Sequence, residues 1–398
     1  MPQTNDSTHD TINSPAQLAE LCERLSSAKR IGFDTEFVSE DTFRPELCLV
    51  QVAADGLLAV IDPYEVGDLT PFWRLLADGD HVTLAHAARE EINFSLEAIG
   101  APPANLFDTQ LAAAFCAAEY PAAYSSVVTR FLGIRPEKGE QRTDWRRRPL
   151  TTDQINYALE DVRYLDALHD AIGGEVEKLG RTQWLADETA GFVQEVTEAR
   201  GRERWRRVSG IGNLGPRNLA VVRELWRWRQ AEAERRNLPP KRVLRDDLIA
   251  EIAKRKLSSA DKIKAIRGMQ HGQLKKATDE IAACVQCGLE ASLDGIRGGS
   301  RKPPPPQLNL LGQFLAPAVN SICREQNIAA SLVGSATDLR ELIAERLGFA
   351  SPEDDPPALA CGWRAELIGN LIDDLLAGKT SIRISNPRSE HPLSIDGL

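Results

Sequence analysis

Nowhere in its 398 residues does the chain carry 18 consecutive apolar residues, so no transmembrane helix is expected. The opening stretch, Met1-Pro-Gln-Thr-Asn-Asp-Ser7, lacks a basic segment followed by an apolar one. That argues against a secretory leader and leaves residues 1–14 as a short disordered lead-in. Cysteine is sparse, odd in number and scattered, at Cys22, Cys48, Cys116, Cys284, Cys287, Cys323 and Cys361. Such a set argues against a disulfide framework and suits a reducing cytoplasm. Cys284-Val-Gln-Cys287 is the one CxxC, and it lacks the second pair or the histidines that a zinc site wants, with only His271 close by. The pair reads as two helix cysteines.

What is present describes a soluble globular chain: 42% hydrophobic and 27% charged residues, long enough for about two to three domains. A formal charge of −10 argues at first against a nucleic-acid partner. Its distribution reverses that argument. Residues 201–276 hold 21 Lys/Arg against 8 Asp/Glu, a net of +13. A basic module on an acidic protein is the electrostatic footprint of a phosphate-binding surface. The plainer reading, an exposed helical face with solvated arginines, stands beside it on charge alone.

Three short acidic segments carry the chemistry: Ile31-Gly-Phe-Asp-Thr-Glu-Phe37, His86-Ala-Ala-Arg-Glu-Glu-Ile92 and Tyr157-Ala-Leu-Glu-Asp-Val162. The first reads as a strand over 30–38, where residues two apart share a face, so Asp34 and Glu36 reach one site. The third reads as part of a long helix over 152–173, where Tyr157 and Asp161 share a face at i, i+4. Inward-facing carboxylates are costly without a cation, and a pair of hard divalent ions can hydrolyse a phosphodiester by steadying both attacking and leaving oxygens. A phenol beside such a carboxylate orients or deprotonates a water. Strands over 47–53, 57–62 and 82–85, with one ending at Asp108, alternate with helices over 17–25, 72–76, 90–99, 109–116 and 125–132. That is an α/β pattern. Asp108 reads as a helix N-cap rather than a metal ligand, and His86 as structural.

These segments, with Ile61-Asp-Pro63, Phe107-Asp-Thr-Gln110 and Glu140-Gln-Arg-Thr-Asp-Trp145, resemble in order the DEDD superfamily of 3′→5′ exonucleases, in its tyrosine subgroup, and most closely the ribonuclease D family. The resemblance implies a ribonuclease H-like α/β exonuclease domain, a mixed sheet with flanking helices, over 15–200. It implies two divalent metal ions, Mg²⁺ or Mn²⁺, with Asp34 bridging them. Glu36 and Asp161 would hold one ion and Glu91 would help hold the other, while Tyr157 positions the attacking water. Where that family carries aspartate in its second motif, this chain carries Glu91. The polar loop bearing Lys138, Gln141 and Arg142 is a candidate substrate contact, with a solvated loop as the alternative.

Beyond residue 210 the pattern turns helical. Leu219-Ala-Val-Val-Arg-Glu-Leu-Trp-Arg-Trp-Arg229 and Lys262-Ile-Lys-Ala-Ile-Arg-Gly268 resemble the helical domain shared by RecQ-type helicases and ribonuclease D, the HRDC domain, expected here over 211–292. Nucleic-acid binding follows from that resemblance, with Arg227, Arg229, Arg235 and Arg236 as candidate RNA contacts. Trp226 and Trp228, two apart, cannot both face the helical core; one packs at its rim or offers a stacking platform. Residues 293–307 read as a Gly/Pro-rich linker, and 308–398 as a second, diverged all-α HRDC-like domain with a possible closing strand at 382–384. The whole is expected to be a cytoplasmic, monomeric 3′→5′ exoribonuclease trimming structured RNA such as tRNA precursors, with no membrane association and no obligate protein partner. Its rivals are an exonuclease acting on DNA, and an RNA-binding protein whose nuclease site is weakened by Glu91.

Overall fold

A computed structural model of the chain describes residues 9–117, 119–136, 143–270, 272–296, 305–350, 355–389 and 392–397. Its contacts divide into two compact units: described residues of 1–36, 48–200 and 304–398 form one, and those of 37–47 and 201–303 the other.

The first unit is built on a six-stranded sheet. Its strands are β1 (Asp10–Ile12), β2 (Arg30–Val38), β3 (Glu46–Ala54), β4 (Leu57–Ile61), β5 (Val82–Ala85) and β6 (Leu106–Asp108). They lie in the order β1-β4-β3-β2-β5-β6. β3 and β4 form an antiparallel hairpin, while β1 runs parallel to β4, β2 to β5 and β5 to β6. Asp55 and Gly56 turn the hairpin with φ of 47° and 81°, the positive pair that matches the twist of the flanking strands. The expected lead-in is therefore shorter than 14 residues. Asp10–Ile12 is a strand, with Ile12 buried, its carbonyl accepting from the Asp62 N–H, and Asp10 paired to Arg24 at 2.7 Å. Three residues are too few to show a period.

Alternation along β2 sorts its side chains as expected. Phe33 is fully buried against Phe72 and Trp73 of the helix Thr70–Asp78, with ring centroids 6.2 and 6.1 Å away. Gly32, Asp34 and Glu36 alternate with it. A methyl group on Gly32 would lie 3.1 Å from a Leu165 methyl carbon, so the bare glycine lets Leu165 rest on the sheet. Leu165, Val162 and Leu84 make one small buried cluster, which seats the third-motif helix over β2 and β5.

The single helix expected over 152–173 is two. Thr152–Arg163 starts at a capping box between Thr151 and Gln154, and Leu165–Lys178 follows. Tyr164, at φ −103° and ψ 0°, breaks the run, and its N–H donates to the Tyr124 hydroxyl at 3.3 Å. A partner 40 residues away in sequence leaves no local signal.

Residues 306–397 belong to this first unit. Helices Pro306–Glu325 and Ala336–Arg346 and a helical run over 362–376 are followed by an antiparallel hairpin, β7 (Thr380–Ile384) and β8 (Leu393–Gly397). The closing strand expected at 382–384 is present within β7, and β8 pairs with it: Ile382 and Ile384 meet Ile395 and Leu393 across the ladder. One apolar cluster joins Leu111, Phe115, Val127 and Ile172 to Leu315, Leu332, Leu342 and Trp363. Arg181, 4% exposed, donates to the carbonyls of Phe115 and Gln326. Arg364 grips Glu188 with both terminal nitrogens at 2.6 and 2.8 Å, and Trp363 stacks on Trp184 at 5.5 Å.

The second unit centres on the helix Pro216–Arg236, packed on Asp246–Arg255 and Thr278–Glu290 through Val221, Val222, Leu225, Ile249, Ile281 and Val285. A methyl group on Gly288 would lie 2.5 Å from the Val221 Cα, so only glycine allows this backbone approach. Cys284 and Cys287 lie on the helix Thr278–Glu290.

Candidate active site

Pairing between β2 and β5 ends at Gly32 opposite Leu84, so Asp34–Glu36 run on toward the end of β5. In sheets of this kind the carboxyl ends of parallel strands are where ligands bind. After β5 the chain turns through His86-Ala-Ala88 into the helix Arg89–Ile99. Asp108 holds that turn. Its carboxylate accepts from the N–H groups of Ala87 and Ala88 at 3.0 and 2.9 Å, and also from those of Gln110 and Leu111. It is the N-cap that its sequence suggested, and it steadies Ala87 at φ 58° as well. His86 is committed on both ring nitrogens: Nε2 donates to the Ala122 carbonyl at 3.1 Å and Nδ1 meets the Thr109 hydroxyl at 2.9 Å. Its role is structural.

Glu91, on the first turn of the helix Arg89–Ile99, is 5% exposed, and the Thr35 hydroxyl donates to its Oε1 at 2.7 Å. On the opposite wall Tyr157 and Asp161 meet as their spacing implied, the phenol hydrogen-bonded to the carboxylate. The Trp145 ring lies 6.2 Å from the Tyr157 ring, tilted by 32°.

Asp34 and Glu36 both feel the charges of Glu91 and Asp161. Burial, then the charges of Glu91, Asp161 and Glu36, holds the Asp34 carboxyl well above the usual carboxylate range. Burial, then Asp161 and Glu91, pushes Glu36 up to about 8. Burial pushes Glu91 up to about 7, and burial followed by Glu160 pushes Asp161 up to about 7. Burial, then Asp161, Glu36 and Asp34, raises the Tyr157 phenol above its ordinary value. It is a neutral hydroxyl at pH 7, able to donate and accept, and orienting a water fits it better than deprotonating one.

Four carboxylates with so much uncompensated charge suit hard cations, whose preferred donors are oxygens. Among the described residues no three Asp, Glu, His or Cys side chains close into a ready ligand cage. Four like charges repel one another, and Mg²⁺ keeps several waters while taking one or two carboxylates directly, so an open donor set fits such ions.

Other sequence expectations fare differently. Lys138, Gln141 and Arg142 lie outside the described residues. Arg148, behind them, pairs with Asp62 at 2.9 Å and donates to the Cys48 carbonyl, which gives Ile61-Asp-Pro63 a structural reason. Arg229 is not a surface residue. It is 4% exposed, paired with Asp246 at 2.6 Å and bonded to the Leu244 carbonyl. Its place on the apolar face with Leu225 was the signal that it turns inward. Arg227 is held by Glu203 and Glu224, and Arg235 by Glu232, at 2.5 to 2.8 Å; Arg236 lies 3.9 Å from Glu232. Trp226 and Trp228 both pack half-buried at the rim of the helical core. Thr35 and Trp145 are the site residues that the sequence did not single out.

Comparison with known proteins identifies the class. Residues 10–177 match a family described as 3′-5′ exonuclease, and residues 218–285 match the HRDC domain. The chain is therefore a 3′→5′ exonuclease joined to an HRDC domain, of a class that depends on divalent metal ions. It is 33% identical to a ribonuclease D of Acidiphilium cryptum, covering 95% of this chain and 96% of that one. It is 34% identical to a ribonuclease D of Nitrobacter hamburgensis, covering 95% and 98%. The crystal structure of Escherichia coli RNase D, described as an exoribonuclease involved in structured RNA processing, superposes with a TM-score of 0.79 at 27% identity, over 93% of this chain and 99% of that one. The chain belongs to the ribonuclease D family and is a 3′→5′ exoribonuclease.

Proposed function

We propose that the enzyme trims the 3′ ends of structured RNA, tRNA precursors above all, releasing nucleoside 5′-monophosphates. The observation that carries this reading is the convergence of Asp34, Glu36, Glu91 and Asp161, with Tyr157, at the carboxyl end of β2. Two divalent ions, Mg²⁺ or Mn²⁺, would be held by those four carboxylates and would stabilise charge on the attacking and leaving oxygens. The chain's own contribution is positioning. β2 fixes Asp34 and Glu36 on one face. The Leu165 contact sets Asp161 over them, and Asp161 in turn orients the neutral Tyr157 hydroxyl toward a water beside the terminal phosphodiester. The basic helical unit grips the RNA. Its phosphate contacts are exposed cations without an ion-pair partner among the described residues, of which Lys256, Lys262 and Arg267 are examples. The enzyme works in the cytoplasm as a monomer.

The test is degradation of a 5′-labelled tRNA precursor with Mg²⁺ or Mn²⁺, beside Asp34→Ala and beside a DNA of the same sequence. A ladder shortening from the 3′ end, reduced by about 10³-fold or more in Asp34→Ala, is expected, since metal-assisted charge stabilisation supplies several kcal/mol. Equal turnover of the DNA would remove the RNA assignment, and full activity in Asp34→Ala would remove the site.

A further inference from the structure

The second-motif position presents a geometric difficulty. A glutamate carries one more methylene than an aspartate, and thus reaches about 1.5 Å further by one C–C bond. Octahedral Mg²⁺ tolerates little misplacement of a ligand. Glu91 sits on the first turn of its helix, Arg89–Ile99. The Thr35 hydroxyl then takes Oε1 at 2.7 Å, the short distance of a charge-assisted O–H···O⁻ bond. Both residues are 5% exposed, so water does not compete for either group. Thr35 is β-branched and sits on β2 between Asp34 and Glu36, where its χ1 has little freedom. A single strand thereby aims two carboxylates at the site and anchors a third.

We propose that Thr35 is a positioning residue for Glu91: by holding Oε1, it fixes the longer side chain in one orientation, so that the other carboxylate oxygen is presented to a cation. This rests on the divalent-cation reading of the site. Thr35 touches no substrate and acts only through Glu91. Outer partners of metal-binding side chains contribute about 10–100-fold to metal affinity or activity when removed, which sets the size of the effect.

The test uses the full chain and Mn²⁺ alone as probe, titrated by calorimetry or electron paramagnetic resonance without RNA, with RNA turnover measured in parallel. Thr35→Val keeps the shape and loses the donor. It is expected to weaken Mn²⁺ binding about tenfold and to lower kcat without raising KM for RNA, and Thr35→Ala, which lacks the same donor, gives the same readings. Thr35→Ser restores native binding. In a Glu91→Asp background the shorter acid no longer reaches the threonine, so Thr35→Val then changes neither Mn²⁺ affinity nor kcat. Native Mn²⁺ affinity in both donorless variants overturns the proposal. An equal loss in the Glu91→Asp background also overturns it, by showing a merely structural threonine. If the unaltered chain binds no Mn²⁺, the cation reading fails first and the proposal falls with it; if Mn²⁺ binds but ignores Thr35, only the proposal falls.

Discussion

The acid cluster and the arginine-rich helix treat like charges in opposite ways. Around Asp34 the fold gathers four carboxylates, and their carboxyls are all held above the ordinary range. Along Pro216–Arg236, four arginines meet carboxylates close by: Arg223 lies 3.0 Å from Glu224, Arg227 sits between Glu203 and Glu224, Arg229 is paired to Asp246 and Arg235 to Glu232. Carboxyls crowded together and held protonated suit a divalent cation, whereas charges neutralised by a neighbour hold the helix to the rest of its unit. Arginine content alone therefore does not distinguish paired from unpaired cations, and the proposed RNA contacts are the unpaired ones.

The comparison can be broken most forcefully at Arg229. Arg229→Ala removes the buried cation at Asp246 and leaves it only the exposed Lys241 at 3.6 Å and the Ser209 N–H; loss of one member of a buried pair costs up to about 3–5 kcal/mol. Denaturant unfolding of the full chain is expected to show an early transition for the helical unit, with the carboxylate site intact. An unshifted unfolding curve would return Arg229 to the surface.

On the acid side, Tyr157→Phe removes the hydroxyl and keeps the ring. Turnover is expected to fall about a hundredfold, the lower end of what a positioned proton-handling group contributes, while RNA affinity stays unchanged. Native turnover would leave the phenol without a catalytic part.

Replacing Lys256, Lys262 and Arg267 together by alanine sharpens the other half. RNA binding weakens, and the slope of log affinity against log salt becomes shallower by about 2, at ~0.7 per phosphate contact on a single strand. The companion variant Arg227→Ala with Arg235→Ala leaves that slope near native, because those guanidinium groups already have partners. The reverse ranking would restore the arginine-rich helix as the RNA surface.

The smallest effect expected is on the pH dependence of stability. Glu36, with a folded value of about 8 against 4.5, and Glu91 and Asp161, at about 7, hold protons in the fold that the unfolded chain has released. The folded state binds more protons across that window, so stability falls as pH rises from about 4.5 to 8. Melting temperature without divalent ions should drift downward over this range, and Mg²⁺ should flatten the drift. A flat profile without Mg²⁺ would mean that these carboxyls are less buried, or further apart, than described.

Much of the candidate site's geometry was legible because its signals are local. Asp34 and Glu36 share a face by strand alternation, and Tyr157 and Asp161 by one helical turn. What escaped depends on partners remote in sequence. Thr35 faces a glutamate 56 residues on, and the break at Tyr164 answers to Tyr124. Strand Asp10–Ile12 is fixed by β4 rather than by its own three residues. Arg229 was misassigned although its spacing from Leu225 already placed it on the apolar face; chemical type outweighed position in that reading. A second helical domain was expected from helical spacing beyond a proline-rich linker; spacing marks the helices but not what they bury, and these pack on the first unit.

That last point matters to anyone cutting this gene into pieces. The motifs end by residue 161, and a minimal catalytic fragment stopping near Arg200 looks natural on paper. Such a fragment would lay open Leu111, Phe115, Val127 and Ile172 on one flank and strip Glu188 of Arg364. Exposed apolar patches of that kind make sticky, poorly soluble fragments. The shorter clone would precipitate for reasons unrelated to its catalytic residues, and a screen for soluble fragments should keep the last ninety or so residues and discard the HRDC insert instead.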